Sequence, residues 1–168
     1  MRVPSKRQNL PLQIIAVLFG LSVNIHVTLA QDLPEAKGAC PVTLVAQGVR
    51  GTQGTVGFVI YASKAGWPDK YEEAVARNAT PATAGDVSVV VNIIPGRYAV
   101  VVLHDENGNK RLDKKPSGRP REGYGLSNNP KAVLKTPSFA AAAVNVACES
   151  TTLIKIHYPS HSEDKENR

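Results

Sequence analysis

The chain has 168 residues, two cysteines and a formal net charge of +6. Residues 1–30 hold three of its 20 basic residues and no acid, so the remaining 17 basic residues exceed the 14 acidic ones by only three. That small excess, with no aromatic series running between the cations, argues against nucleic-acid binding. The 138 residues after position 30 have the usual size of one domain with its own hydrophobic core.

The first 30 residues have the pattern of a secretory signal peptide. A basic start, MRVPSKRQN, leads into an apolar run that ends in small residues at Ala30. Asn24 and His26 interrupt the apolar run, which is too short and too polar for a membrane span. We therefore expect cleavage near Ala30, export to the periplasm or the exterior, and no membrane span.

The two cysteines, Cys40 and Cys148, border strand-like runs and have no metal-ligand or C-x-x-C redox spacing. In an exported chain they are expected to form a disulfide. Two buried free thiols are the alternative. A disulfide between them would close almost the whole domain.

Six short runs, rich in β-branched residues and bounded by turn-forming residues, follow a period of two. In chain order they are VTLVAQGV, TVGFVIYA, DVSVVVNII, GRYAVVVLHD, AAAVNVACES and TTLIKIHYP. They predict an all-β fold, an antiparallel β-sandwich of about six to seven strands over residues 31–159. The fourth run is apolar on both faces and should be a central strand. Residues 160–168 are predicted to be a polar C-terminal tail.

Two segments interrupt the strands. The first contains DKYEEAVARNA, which predicts a short helix beginning at Asp69, with Trp67 and Tyr71 packing the segment onto the sandwich. The second begins at Glu106, runs for more than 30 residues without apolar periodicity, and predicts one long ordered loop with a functional role. Its basic residues from Lys110 onwards form either a solvated loop or a surface for an anionic partner.

The start of that loop, HDENGNKRLD, resembles a calcium loop. Calcium prefers oxygen ligands, and the twelve-residue loop takes them from alternate positions. The side chains of Asp105, Asn107, Asn109 and Asp113 supply oxygens at the first, third, fifth and ninth positions. The backbone carbonyl of Arg111 supplies the oxygen at the seventh. Lys110 replaces the glycine at position six, and Pro116 the glutamate at position twelve, so a full helix-loop-helix site is excluded. A shorter β-sandwich loop, closed by Asp113 or by Glu122, remains.

Three interpretations of the loop follow. In the first, calcium organises the loop structurally. In the second, the Asp and Asn residues only reverse the chain through side-chain-to-backbone turns. The third is a carbohydrate-binding or envelope-binding module that uses exposed Trp67, Tyr71 and Tyr124 without metal. An envelope polysaccharide or a protein is the expected partner, and the chain is expected to be a monomer.

Enzyme activity has little support in the sequence. His104 and Asp105 are neighbours on a strand and point to opposite faces, and Ser127 is not in a nucleophile elbow. The histidines lack a zinc-ligand spacing. We therefore expect no catalytic residues, and we predict instead that His104, with Tyr124 and Asn128, braces the segment EGYGLSNN by hydrogen bonding.

The blocks PGRYAVVVLHDENGNKRLD, GRPREGYGLSNN, PSFAAAAVNV and IKIHY resemble the bacterial family called domain of unknown function 2141. The resemblance covers essentially all of the chain after the signal peptide. It implies an exported sandwich similar to transthyretin-like, Ig-like and carboxypeptidase-regulatory-like domains, and it implies no activity. The family usually has glycine where this chain has Lys110.

Overall fold

The computed structural model describes residues 38–131 and 136–159. The predicted signal peptide, residues 1–30, and the predicted tail, residues 160–168, lie outside these ranges. In the part of the chain that is described, no helix has the length and apolar character needed to cross a membrane.

The described residues form eight strands in two sheets, so the predicted all-β sandwich is confirmed, with slightly more strands than expected. The strands are β1 Cys40–Val49, β2 Thr55–Tyr61, β3 Ala76–Pro81, β4 Gly85–Ile93, β5 Gly96–Asp105, β6 Gly123–Leu126, β7 Val144–Val146 and β8 Thr151–Lys155. A 3-10 turn, Tyr71–Glu73, and one short helix, α1 Phe139–Ala142, accompany them.

One sheet has the strand order β4-β1-β8, and the other has β3-β2-β5-β6 with β7 pairing to the start of β5. All of these pairs are antiparallel except β1 with β8, which is parallel. Alternate side chains point to one face of a strand, so the period of two buries one side of each sheet. The main core between the sheets includes Val42, Leu44, Val89, Val91, Phe58, Ile60, Val100, Val102 and Ile154.

β5 is buried on both faces, as its two apolar faces predict. The main core covers one face, and a smaller cluster that includes Val101 and Tyr61 covers the other. Trp67 belongs to this second cluster: its ring lies 5.4 Å from that of Tyr61 and 6.1 Å from that of Phe139. Tyr71 packs against the same cluster, so both aromatics fasten the segment between β2 and β3 to the sandwich.

Two predictions of local secondary structure were wrong. The helix expected from Asp69 is reduced to a single 3-10 turn, and β3 follows, because backbone pairing to the edge of β2 outweighs helix propensity in Ala76–Pro81. The AAAVNVACES run begins as α1, and its strand starts only at Val144.

The long loop contains a strand, β6, which has no apolar alternation to reveal it. Its glycines permit close packing, since a Cβ on Gly125 would lie 2.5 Å from the carbonyl oxygen of Lys155. A Cβ on Gly123 would collide with the ring of Tyr158. The pairing and packing of its neighbours, and not its own residue pattern, therefore make this segment a strand.

The predicted disulfide is present between Cys40 and Cys148, with Cα atoms 5.3 Å apart. It joins the first residue of β1 to the turn between β7 and β8, where the N–H of Glu149 also donates to the carbonyl of Pro41 at 2.8 Å. The bridge therefore reinforces the parallel pairing of β1 and β8, the contact between the two ends of the domain.

Replacing both cysteines with alanine should lower the free energy of unfolding by about 2 to 4 kcal/mol. The bridge spans 108 residues of chain, and a long closed loop restricts the unfolded state strongly. Urea unfolding of the wild type and the double variant measures the difference. A thiol assay should detect no free thiol before reduction and two after it, and two thiols in unreduced protein would contradict the bridge.

Candidate functional site

The carboxylate of Asp105 organises the start of the long loop. Asp105 is the last residue of β5 and is 3% exposed. One of its oxygens accepts the backbone N–H of Gly108 at 2.8 Å and of Asn109 at 3.2 Å, and the other accepts the N–H of Lys110 at 2.7 Å. The chain therefore winds around this carboxylate, and residues 105–113 are called the Asp105 loop below.

Asp113 closes the loop from its other end. Its two oxygens accept the side-chain amide of Asn107 at 2.6 Å and that of Asn109 at 3.0 Å. The amide oxygens of the two asparagines accept the backbone N–H groups of Asn109 and Arg111, at 3.0 and 2.8 Å. The structure thus brings the side chains of Asn107, Asn109 and Asp113 into contact, while Asp105 holds the backbone of the same turn.

Glu122 reaches back onto the loop, as the sequence suggested. It is 5% exposed, and its two oxygens accept the backbone N–H groups of Glu106 at 3.2 Å and Asp113 at 3.0 Å. Burial raises the pKa of Glu122, and the two backbone hydrogen bonds act in the opposite direction. This side chain therefore joins the beginning and the end of the Asp105 loop.

Lys110, at the sixth loop position, has a φ of 61°, in the left-handed region. The calcium-loop pattern requires glycine there for a sharp turn. The backbone at this position therefore has the left-handed conformation that glycine adopts most easily, although the residue is lysine. For a residue with a Cβ, this conformation costs about 1 to 2 kcal/mol.

Lys110→Gly should therefore raise the free energy of unfolding by about 0.5 to 1 kcal/mol, because the removed strain exceeds the extra entropy of glycine in the unfolded chain. The matched control is Arg111→Gly, at an exposed neighbour whose φ is outside the left-handed region, and it should lower stability. Urea unfolding of both variants is the measurement. Destabilisation of equal size at both positions would contradict strain at Lys110.

His104 is fully buried and has a different role from the one predicted. Its Nε2 lies 2.9 Å from the carbonyl oxygen of Gln53, and its Nδ1 lies 2.7 Å from the hydroxyl of Tyr158. A carbonyl can only accept, so in the neutral ring Nε2 carries the proton and Nδ1 accepts from Tyr158. His104 therefore connects β5 to the β1–β2 loop and to the end of the chain after β8.

The hydrogen bonds of the His104 side chain do not reach residues 122–129, although His104 pairs with Gly123 in the register of β5 and β6. Tyr124 exchanges two backbone hydrogen bonds with His157, and the Asn128 amide donates to the carbonyl of Ala141 at 2.8 Å. Backbone pairing and the side chains of Asn128 and Ser127 therefore hold this segment in place.

Arg50 adds charge to the same region. Its backbone N–H donates to the Tyr158 hydroxyl at 3.0 Å, and its guanidinium lies 4.6 Å from the centroid of the Tyr158 ring. The guanidinium also binds both oxygens of Glu106. This ion pair raises the pKa of Arg50 and lowers the pKa of Glu106 below its ordinary value of 4.5. Arg50, His104, Glu106 and Tyr158 are called the Arg50 cluster below.

A lowered carboxyl pKa means that the ion pair stabilises the fold above the ordinary pKa and loses this effect as the pH falls through the lowered value. Glu106→Gln should therefore reduce the free energy of unfolding by about 0.5 to 1 kcal/mol at pH 7, since the pair is partly exposed. The difference from wild type should shrink below pH 4.5. Urea unfolding as a function of pH tests this, with Glu72→Gln, at an exposed residue, as the control. A difference that does not depend on pH would contradict it.

Sequence reasoning missed Arg50, Gln53 and Tyr158. Tyr158 is 54 residues from His104 and 108 from Arg50, and no local spacing links such distant positions. The sequence indicated these residues only weakly, through the glycine-rich loop that holds Arg50 and the aromatic residue that ends IKIHY. Only the fold brings them together.

Ser127 is also fully buried. Its hydroxyl oxygen accepts the N–H of Val100 at 2.8 Å, and the hydroxyl donates to the carbonyl of Ala142 at 2.7 Å.

Within residues 38–131 and 136–159, no group of three or more His, Cys, Asp or Glu side chains is placed to hold a metal ion. Any cation at the Asp105 loop must therefore use asparagine and backbone oxygens as well.

A family model described as an uncharacterised protein conserved in bacteria, DUF2141, matches residues 44–154, well over half of the chain. The chain belongs to the DUF2141 family. The match extends from β1 to β8 and includes the whole Asp105 loop, so the resemblance noted in the sequence is confirmed. No curated protein and no solved structure matches the chain.

Proposed function

We propose that this DUF2141 protein is an exported, non-enzymatic binding or structural β-sandwich whose Asp105 loop is organised by calcium. One observation carries the proposal. The polar side chains at the first, third, fifth and ninth positions belong to one hydrogen-bonded turn, and Lys110 takes the left-handed conformation reserved for glycine at the sixth.

The donors divide into two groups. Asp105 and Glu122 already accept backbone N–H groups and set the shape of the loop, although a carboxylate has about four lone-pair sites and keeps some free. Asp113 and the Arg111 carbonyl supply other oxygens, and so do the two asparagine amides, although each amide oxygen also accepts one backbone N–H. Rotation of the Asn107 and Asn109 amides away from Asp113 would release the carboxylate oxygens of Asp113 for a cation.

The local charge limits the affinity. Lys110 and Arg111 are exposed beside the loop and oppose a divalent cation. Few carboxylates are available, and two of them already serve the backbone. We therefore expect binding in the range of extracellular calcium modules, with dissociation constants of about 0.1 to 1 mM.

Export is supported by the disulfide, since such bridges persist in oxidising compartments. The absence of catalysis is supported by the two residues best suited to it. The His104 ring and the Ser127 hydroxyl are both fully buried, and their polar atoms already have protein partners.

Sugar binding through aromatic residues has weaker support. The Trp67 indole N–H donates to the carbonyl of Pro137 at 2.9 Å, and its ring packs edge-on against Tyr61 and Phe139. Tyr71 packs in the same cluster. Two of the three aromatics proposed for that surface therefore serve the core.

Calcium should raise the melting temperature of the purified protein, because a ligand that binds only the folded state stabilises it by mass action. The gain is about 2.7 kcal/mol at a hundredfold excess over the dissociation constant. Magnesium should have a much smaller effect, since it demands a tight octahedral shell. Thermal unfolding in calcium, magnesium and chelator measures this, and calorimetry gives the affinity.

Asp113→Asn is the sharpest variant. Asp105 is buried and holds three backbone N–H groups, so replacing it would also disturb the fold, whereas Asp113 accepts only from two side chains through its carboxylate. Asp113→Asn should abolish the calcium shift, and Asp86→Asn, at an exposed acid on β4, should preserve it. Identical melting curves in calcium and chelator, with no heat of binding at millimolar calcium, would contradict the proposal.

A further inference from the structure

The segment after the Asp105 turn is strongly basic. Residues 110–121, called the basic hairpin below, contain six basic residues and one acid. The basic residues are Lys110, Arg111, Lys114, Lys115, Arg119 and Arg121. Its net charge is +5, whereas the rest of residues 31–168, with 11 basic and 13 acidic residues, has a net charge of −2. The positive charge of the chain after the signal peptide is thus concentrated in twelve residues.

The backbone of the basic hairpin is ordered by hydrogen bonds. Lys115 donates to the carbonyl of Arg119 at 2.8 Å, Gly118 donates to that of Lys115 at 2.8 Å, and Arg121 donates to that of Asp113 at 2.7 Å. Lys114 and Pro120 form a β-bridge between the two arms. Glu122 fixes the base of the hairpin through the N–H of Asp113. A ligand would therefore meet a preformed array and lose little free energy in ordering it.

The pairing sorts the cations onto two faces. Residues opposite each other on antiparallel arms share a face, so Lys115 lies beside Arg119, and Arg121 lies on the same face at the next position. Lys114 is on the other face, where its Nζ lies 3.3 Å from a carboxylate oxygen of Asp69. The first face thus gathers three cations and the carboxylate of Asp113, which is opposite Arg121, so its net charge is +2. Like charges directly opposite each other, as at Lys115 and Arg119, are unfavourable for folding.

We propose that this face of the basic hairpin binds a linear anionic polysaccharide. The inference rests on the proposed binding role and names a class of partner for it, recognised by charge. Arginine guanidinium groups match carboxylate and sulfate or phosphate oxygens in a two-pronged geometry. Three cations along a narrow hairpin fit a chain with charges at regular intervals.

Two other polyanions fit the hairpin less well. A membrane surface would favour apolar side chains that enter it, but the tip is Pro116, Ser117 and Gly118. A single-stranded nucleic acid would favour aromatic side chains for base stacking, and residues 110–121 contain none.

The test uses the purified protein, polygalacturonate as the anionic probe and neutral dextran as its control, all in chelator so that calcium plays no part. The double variant R119Q/R121Q removes two charges from the proposed face. The matched control R97Q/K155Q removes two charges from exposed positions on β5 and β8. Calorimetry measures binding, and melting temperatures verify that each variant is folded.

We expect the wild type to bind polygalacturonate and not dextran, with affinity falling as salt rises from about 50 to 200 mM. R119Q/R121Q should weaken binding about tenfold, and R97Q/K155Q should change it less than twofold. Equal losses in the two variants, no binding by the wild type, or tighter binding to anionic lipid vesicles or DNA would each overturn the proposal. None of these results depends on the calcium shift, so the two proposals can fail separately.

Discussion

The buried carboxylate of Asp105 is the interaction on which the loop side of this protein depends. It lies where the central strand ends, and its three backbone hydrogen bonds turn the chain within five residues. A buried charge is tolerated only when it is well hydrogen bonded, and here the loop itself provides the donors. The geometry of the turn is thereby coupled to the position of β5 in the sheet. The turn at residues 108–110 is fixed at the end of the central strand, and the hairpin that follows is held by its own backbone hydrogen bonds and by Glu122.

The two sides of the β5 terminus are held by different means. On the loop side, Glu122 joins the base of the basic hairpin to the Asp105 turn. On the other side, Arg50 and His104 both bind the hydroxyl of Tyr158, and His104 also binds the carbonyl of Gln53 in the β1–β2 loop. Glu106 stands between them, because its side chain belongs to the Arg50 cluster and its N–H belongs to Glu122. A change at either side is therefore expected to reach the other through one residue.

The proposed cation and the proposed anionic partner occupy adjoining surfaces. Asp113 belongs to the Asp105 loop and also opposes Arg121 in the hairpin. A calcium ion at the loop would add positive charge next to the basic face and would neutralise its one carboxylate. Binding of a polyanion and of calcium should then favour each other, since linkage between two sites is reciprocal. Lys110 and Arg111 are exposed and positively charged. They weaken a cation site, but they favour an anion site beside it.

Regular alternation and the special chemistry of a few residues could be interpreted from the sequence. The period of two identified most strands and the central position of β5, and the cysteine count with the predicted export signal indicated the disulfide. The pattern of HDENGNKRLD indicated that its polar side chains share a turn, because turn-forming contacts are local in sequence.

The tertiary structure alone decided the remaining features. β3 and β6 exist because neighbouring strand edges pair with them, although neither segment alternates apolar and polar residues. His104 could not be assigned its partners, since Gln53 and Tyr158 lie more than 50 residues away on either side. The three cations of the basic hairpin share a face only through the register of its arms. Local propensity and periodicity are encoded over a few residues, whereas pairing partners are chosen by burial and hydrogen bonding across the whole fold.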